Sequence, residues 1–239
     1  MLKIVAAAEI GKKVVEGIKA SVEAGAALEQ SIGGIETLFK ESSDTMIQYA
    51  NNAFRTCGLS ANDYMETTTS FAASMLSSVG GDTAKAAELS NNALIAMSDN
   101  ANKMGTNMQD IQNAYQGFAK QNYTMLDNLK LGYGGTKEEM QRLLSDANKL
   151  NKQQGIITDY SIDSFADITE AIQVVQDNLG ITGTTALEAA STLSGSFGTM
   201  QAAWTNFIAK LSVGNQDQVN QAMMDLASSA STFLFQNLI

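Results

Sequence analysis

Apolar residues recur along this chain at intervals of three and four, the spacing that places side chains on one face of an α-helix. Two segments show the pattern most clearly. They are Met104, Met108, Ile111, Tyr115 and Phe118, and Phe165, Ile168, Ile172, Val175 and Leu179. Each segment is predicted to be a helix whose stripe faces another helix, within a bundle rather than a sustained coiled coil. The first stripe is also a candidate surface for a partner chain.

The alternation typical of β-strands is almost absent, and glycines divide the chain into helix-length pieces. The predicted fold is all-α, with segmented helices joined by Gly-rich turns in a helical bundle or an elongated helical array. We expect an amphipathic helix in residues 1–34, a helical region in 35–214, and a C-terminal helix in 215–239 that can continue in a longer chain. The predicted helices cover residues 2–31, 35–40, 43–57, 60–79, 83–104, 185–194 and a stretch from Met200 to Leu211.

Residues that begin and end helices support this division. Asp82 follows Gly80-Gly81 and is a candidate N-cap, since its carboxylate can accept hydrogen bonds from first-turn amides. The patterns Thr136-x-x-Glu139 and Thr185-x-x-Glu188 are predicted capping boxes. Gly180 is predicted to end the helix before it, and Gly195–Gly198 is predicted to separate two helices.

Composition excludes several classes of function. Charged residues make up 17% of the chain and the net charge is −10, so broad phosphate contact with nucleic acid is not expected. The chain has no His and one Cys, which excludes a structural zinc site and His-dependent nucleophilic catalysis within it. Cys57 is predicted to be a small buried side chain. We predict no cofactor, no catalytic residue and no transmembrane helix.

Two motifs invite a chemical interpretation, and both favour a structural one. The cluster from Gly132 to Lys137 lacks the Gly-Lys-Ser/Thr order and the preceding strand of a phosphate-binding loop, so it is predicted to connect two helices. Asp159, Asp163 and Asp167 share a spacing of four but lack a calcium-loop pattern, which favours a solvated helical face or capping.

Trp204, the only tryptophan, is predicted to anchor the core, with exposure to another chain as the alternative.

The stretch "TMLDNLKLGYGGTKEEMQRLLSDANKL" resembles the phage tail tape measure protein family. The downstream stretches "QDNLGITGTTALEAASTLSGSFGTM" and "QAAWTNFIAKLSVG" follow in the same order, and the resemblance covers roughly residues 43–214. The residues that carry it are Gly132, Tyr133, Gly134, Gly135, Thr136, Glu139, Gly180, Gly183 and Trp204.

The resemblance implies a structural protein of the virion. It would fill the tail lumen, help to set tail length and leave the tube during genome ejection, after assembly in the host cytoplasm. The implied partners are the tail tube, tail-tip or baseplate proteins and tail-assembly chaperones, and the apolar stripes favour self-association. Frequent glycines argue against a single long ruler helix in this region. The alternatives are a tail-associated cell-wall hydrolase and a membrane-active helical protein.

Overall fold

A computed structural model describes residues 2–237 of the protein, with side chains described for residues 19–192 and 194–235. The described part is all-α and contains no strand, which confirms the predicted fold class. Its helices are α1 (Leu2–Phe39), α2 (Ser43–Thr56), α3 (Ala61–Ser78), α4 (Thr83–Met104), α5 (Met108–Phe118), α6 (Lys137–Gln153), α7 (Phe165–Asn178), α8 (Thr184–Ser191), α9 (Leu193–Val213) and α10 (Gln216–Asn237). Short 3₁₀ turns cover Lys40–Ser42 and Leu126–Leu129.

Helix α4 lies at the centre of the array and packs against α1, α2, α3, α5, α7 and α8. Its N-cap is Asp82, whose carboxylate accepts a hydrogen bond from the Lys85 amide at 2.9 Å, as predicted. Small residues such as Ala86 and Ala93 let neighbouring helices approach closely, while Leu94 and Met97 fill the core and are fully buried.

Helix α1 is longer than the sequence indicates, because it continues through Gly33-Gly34 to Phe39. The predicted end near residue 31 and the separate piece at 35–40 are therefore wrong. Packing explains the difference: a Cβ at Gly34 would lie 3.3 Å from the Thr69 side chain, so the glycine allows α3 to approach. Burial of Ile35 and Phe39 in the shared core then stabilises the helix beyond the glycines.

The predicted break at Gly195–Gly198 is also wrong. Helix α8 ends instead at Ser191, and α9 runs without interruption from Leu193. Thr192 begins it, since its hydroxyl oxygen accepts a hydrogen bond from the Gly195 amide at 3.0 Å. Helix α10 then folds back on α9, with the rings of Phe197 and Phe233 5.4 Å apart.

Several local predictions are confirmed. The stripe on α7 packs within the bundle, and only Leu179 of its members is largely exposed. Gly180 follows the helix with φ +64°, and the Ile181 amide donates to the carbonyl oxygen of Gln176, a Schellman ending. Cys57 is buried, and burial raises the pKa of its thiol to about 11.

The stripe from Met104 to Phe118 does not form one helix. Gly105, in a left-handed conformation, ends α4, and α5 begins at Met108 after an Asn107 cap. Three members, Ile111, Tyr115 and Phe118, are buried in the core of this chain, and Met104 and Met108 are half-buried against it. The expectation that these side chains face a partner chain is therefore wrong for the three buried ones.

Candidate functional site

The glycine loop, residues 130–136, connects the 3₁₀ turn at Leu126–Leu129 to α6, whereas the sequence suggests a longer helix before it. Gly132 needs its glycine because its φ is +87°. Gly135 is required for a different reason, since a Cβ there would lie 2.2 Å from the carbonyl oxygen of Thr124. Gly134 meets only an ordinary contact with Glu139, so of these three glycines two have a demonstrable structural cause.

Thr136 begins α6 as predicted, with its hydroxyl accepting a hydrogen bond from the Glu139 amide at 3.2 Å. The second half of the predicted capping box is wrong. The Glu139 carboxylate does not return to Thr136 but accepts a hydrogen bond from the Gly134 amide at 3.0 Å. In a phosphate-binding loop the backbone amides would be free to bind the ligand, but here the Gly134 amide is already bonded to the Glu139 carboxylate. This agrees with the interpretation of the cluster as a connection between structural elements.

Arg142 closes this arrangement from the next turn of α6. Its guanidinium donates to the Glu139 carboxylate at 2.5 Å and to the carbonyl oxygen of Gly132 at 2.7 Å. It also lies over the Tyr133 ring, 4.3 Å from the centroid. The Tyr133 hydroxyl donates to the Asp146 carboxylate at 3.2 Å. These four side chains clamp the loop onto the first half of α6.

The clamp changes the proton affinity of its members. Hydrogen bonds from Arg142 and then from the Gly134 amide lower the pKa of Glu139 to about 2. Burial, and next the Asp146 charge, raise the pKa of Tyr133 to about 12. Both shifts keep the groups in one protonation state near neutral pH, which suits a structural clamp rather than acid–base catalysis.

The link before α8 is held by a residue that sequence reasoning missed. Asp99 of α4 is fully buried, and its carboxylate accepts from the Gly183 amide at 2.7 Å and the Thr185 amide at 2.8 Å. The predicted capping box of Thr185 and Glu188 is therefore wrong, since Gly183 is the N-cap and the capping carboxylate comes from another helix. Such a long-range partner has no local sequence signal.

The neighbours of Asp99 also hold distant segments. The Ser98 hydroxyl donates to the carbonyl oxygen of Cys57 at 3.0 Å, in the connection between α2 and α3. The Asn100 side-chain amide donates to the carbonyl oxygen of Leu129 at 3.0 Å, directly before the glycine loop. Three consecutive residues of α4 thus fix three separate connections, and two of these contain residues that carry the family resemblance.

Helix α9 presents its large side chains outward. Phe197, Trp204 and Leu211 lie seven residues apart on one face, and Trp204 is 53% exposed. Half-buried Met200 and Phe207 fall between them, so the full stripe steps by 3, 4, 3 and 4. We call these five residues the α9 stripe. The expectation that Trp204 anchors the core is wrong, and the alternative of an exposed position is correct.

The opposite face of α9 carries small residues. The buried positions are Ser196, Thr199, Ala202, Ala203 and Ala209. Small side chains allow close approach of α1, α2 and α10, so the helix packs tightly while its apolar bulk stays at the surface. The sequence shows large apolar residues spaced by three and four over residues 197–211. That spacing does not show whether the face with these large side chains or the face with small side chains is buried.

The remaining chemical candidates do not form a site. Asp159 and Asp163 lie in the loop before α7 while Asp167 lies on α7, so the expected shared face does not exist. Among the described residues, no group of three or more His, Cys, Asp or Glu side chains is arranged to hold a metal ion. Within residues 2–237, no helix is both long enough and apolar enough to cross a bilayer.

Comparisons of the chain with protein-family models, with curated proteins and with solved structures found no match.

Proposed function

We propose that this protein is a structural component of a phage tail, of the tape measure type, that assembles with other tail proteins through an exposed apolar helix face. The observation that carries the proposal is the α9 stripe. Trp204, Phe207 and Leu211 lie in the stretch "QAAWTNFIAKLSVG", and Phe197 and Met200 end the stretch before it; both stretches carry the family resemblance. Contiguous exposed apolar surface on a well-packed helix is typical of a surface that another chain covers.

The arrangement of the other resembling residues supports the same proposal. The glycine loop is clamped by Tyr133, Glu139 and Arg142, and the link at Gly183 is capped by Asp99. These residues hold helices together and form no acid–base pair aimed at a cleft. A protein that acts by shape and association needs such positions.

Segmentation defines which part of the family's function we assign to this region. The longest described helix, α1, has 38 residues, and most others are much shorter. An α-helix rises about 1.5 Å per residue, so length measurement needs long uninterrupted helices. We therefore assign residues 43–214 to tail assembly and docking, and we assign tail-length determination to long uninterrupted helices rather than to this segmented region.

The proposal is tested first in the particle. Mass spectrometry of purified tails from the phage that encodes this chain should recover its peptides, and a nonsense mutation in the gene should abolish normal tails in electron micrographs. Normal tails that lack the protein would contradict the proposal. In-frame duplication of a long helical segment should lengthen the tail in proportion, whereas duplication within residues 43–214 should disrupt assembly instead.

Two alternative functions have direct assays. A cell-wall hydrolase would release soluble fragments from purified peptidoglycan, and we expect no release by this protein. A membrane-active protein would release dye from liposomes, and we expect no leakage. An unrelated helical protein at the same concentration serves as the control. Release by this protein but not by the control, in either assay, would favour the corresponding alternative.

A further inference from the structure

A groove of about 660 Å³ lies between α6 and the loop at residues 154–164, on a part of the molecule that the α9 stripe does not use. One wall is the α6 face from Gln141 to Lys152, including the apolar side chain of Leu144. The other wall is the loop, which contributes Ile156, Ile157 and Ile162. The groove is open, and four of its eleven lining side chains are aliphatic, three of them from the loop.

The loop that forms the second wall is held in place by side-chain hydrogen bonds to α6. The side-chain amide of Asn151 donates to the hydroxyls of Thr158 at 3.2 Å and Tyr160 at 3.1 Å. The side-chain oxygen Oδ1 of Asn148 accepts from the Thr158 hydroxyl at 2.8 Å and from the Tyr160 backbone amide at 3.3 Å. Both asparagines belong to the groove's own helix, so the two walls form one preorganised unit.

This arrangement exposes apolar side chains that the loop could otherwise bury. Ile157 is 96% exposed and Ile156 is 49% exposed, although the Ile156 backbone amide donates to the Asn151 carbonyl oxygen and the Thr158 hydroxyl is bonded to α6. A β-branched apolar side chain held in water gains nothing in the isolated protein, and its transfer to an apolar partner is favourable. The loop therefore presents Ile157 for contact with another molecule.

Charge distinguishes the groove from the rest of the surface. The protein has 25 acidic and 15 basic residues, yet the charged residues lining the groove are Lys149 and Lys152. Lys149 is paired with Asp146 at 2.8 Å, on the side of α6 towards Tyr133. Lys152 therefore carries the basic charge at the end of the groove near the C-terminus of α6, and its complement is an apolar surface with a carboxylate beside it.

We propose that this groove docks an acidic amphipathic helix of a partner protein. The wall from Gln141 to Lys152 spans eleven residue steps, or about 16 Å, which matches roughly three turns of a helix. Apolar side chains of the partner would lie on Ile156 and Ile157, and an Asp or Glu side chain of the partner would meet Lys152. Helix-in-groove docking fits here better than strand addition, because the walls offer no exposed strand edge.

The test uses two synthetic helical peptides and the whole chain. Both peptides carry leucines at positions i, i+4, i+7 and i+11; one has glutamates on the flanking positions and the other has lysines. Fluorescence anisotropy should show binding of the glutamate peptide and at least about tenfold weaker binding of the lysine peptide. Ile157→Asp should abolish binding, and Lys152→Glu should reverse the preference between the two peptides.

Val22→Asp is the matched control, since Val22 is exposed to a similar degree as Ile156 but lies on α1, away from the groove. It should leave binding unchanged, and circular dichroism should show that all variants fold. Absence of binding at millimolar peptide, or equal binding of both peptides, would overturn the proposal. So would a wild-type dimer in sedimentation that Ile157→Asp dissociates, because a second copy would then occupy the groove. This test is independent of tail function.

Discussion

The carboxylate of Asp99, buried within α4, accepts a hydrogen bond at 2.7 Å from the amide of Gly183, which lies 84 residues further along the chain. A second bond to the Thr185 amide makes Asp99 the cap of α8. Burial removes water from a carboxylate at a cost in free energy, and hydrogen bonds from backbone amides offset that cost. Asp99 therefore fixes the start of α8 on the central helix.

Asp99→Ala should consequently destabilise the protein by about 3 kcal/mol, since it leaves two buried amides without acceptors. Asp82→Ala is a suitable control, because Asp82 caps the exposed start of α4 through one local hydrogen bond. That variant should lose only about 1 kcal/mol. Urea unfolding of both variants measures the difference. Equal losses would show that the remote cap has no special role.

The glycine loop gives a prediction about two adjacent residues. Gly135→Ala should destabilise the protein by about 3 kcal/mol, because its Cβ would overlap the backbone of Thr124 and the loop would have to move. Gly134→Ala should change stability by less than about 1 kcal/mol, since its Cβ meets only the Glu139 side chain at an ordinary distance. Thermal unfolding distinguishes the two, and similar losses would be inconsistent with the close approach at Gly135.

The clamp predicts a pH dependence with a defined sign. The pKa of Glu139 falls from 4.5 to about 2 because Arg142 and the Gly134 amide hydrogen-bond to its carboxylate. A carboxyl group whose pKa is lower in the folded state stabilises that state. The contribution is complete when the pH is above the pKa of the unfolded state, and it disappears as the pH falls through the pKa of the folded state. The stability difference between wild type and Glu139→Gln should therefore be largest above pH 4.5 and vanish near pH 2.

The titration of Glu139 can also be followed directly by NMR of its carboxyl carbon. In Arg142→Gln the largest cause of the shift is removed, so the pKa of Glu139 should rise towards 4.5. A pKa that stays near 2 in this variant would assign the shift to the Gly134 amide instead of the guanidinium.

Local patterns predicted the fold class and most helix starts, because caps such as Asp82 and Thr136 act within three residues of their partners. They failed where tertiary contacts decide the outcome. Gly34 lies inside α1 because α3 packs beside it, and the cap of α8 comes from Asp99 rather than from Thr185. For the candidate site, periodicity located apolar faces on both α5 and α9 but could not determine that the larger side chains of α9 remain exposed.

Trp204 provides an intrinsic probe of the α9 stripe, since it is the only tryptophan and is 53% exposed. In dilute protein its fluorescence should be red-shifted and readily quenched by iodide. Trp204→Ala should cost about 1–2 kcal/mol of stability, because roughly half of the side chain stays in water in the isolated chain. Phe118→Ala, at a fully buried ring, should cost about 3–5 kcal/mol.

Association through the stripe would change both observables together. When the protein assembles, iodide quenching of Trp204 should fall and its emission should shift to the blue, at the concentration where sedimentation detects the larger species. Trp204→Ala should weaken assembly while Phe118→Ala weakens folding. If assembly proceeds with Trp204 as accessible as in the monomer, the α9 stripe is not the surface through which the chain associates.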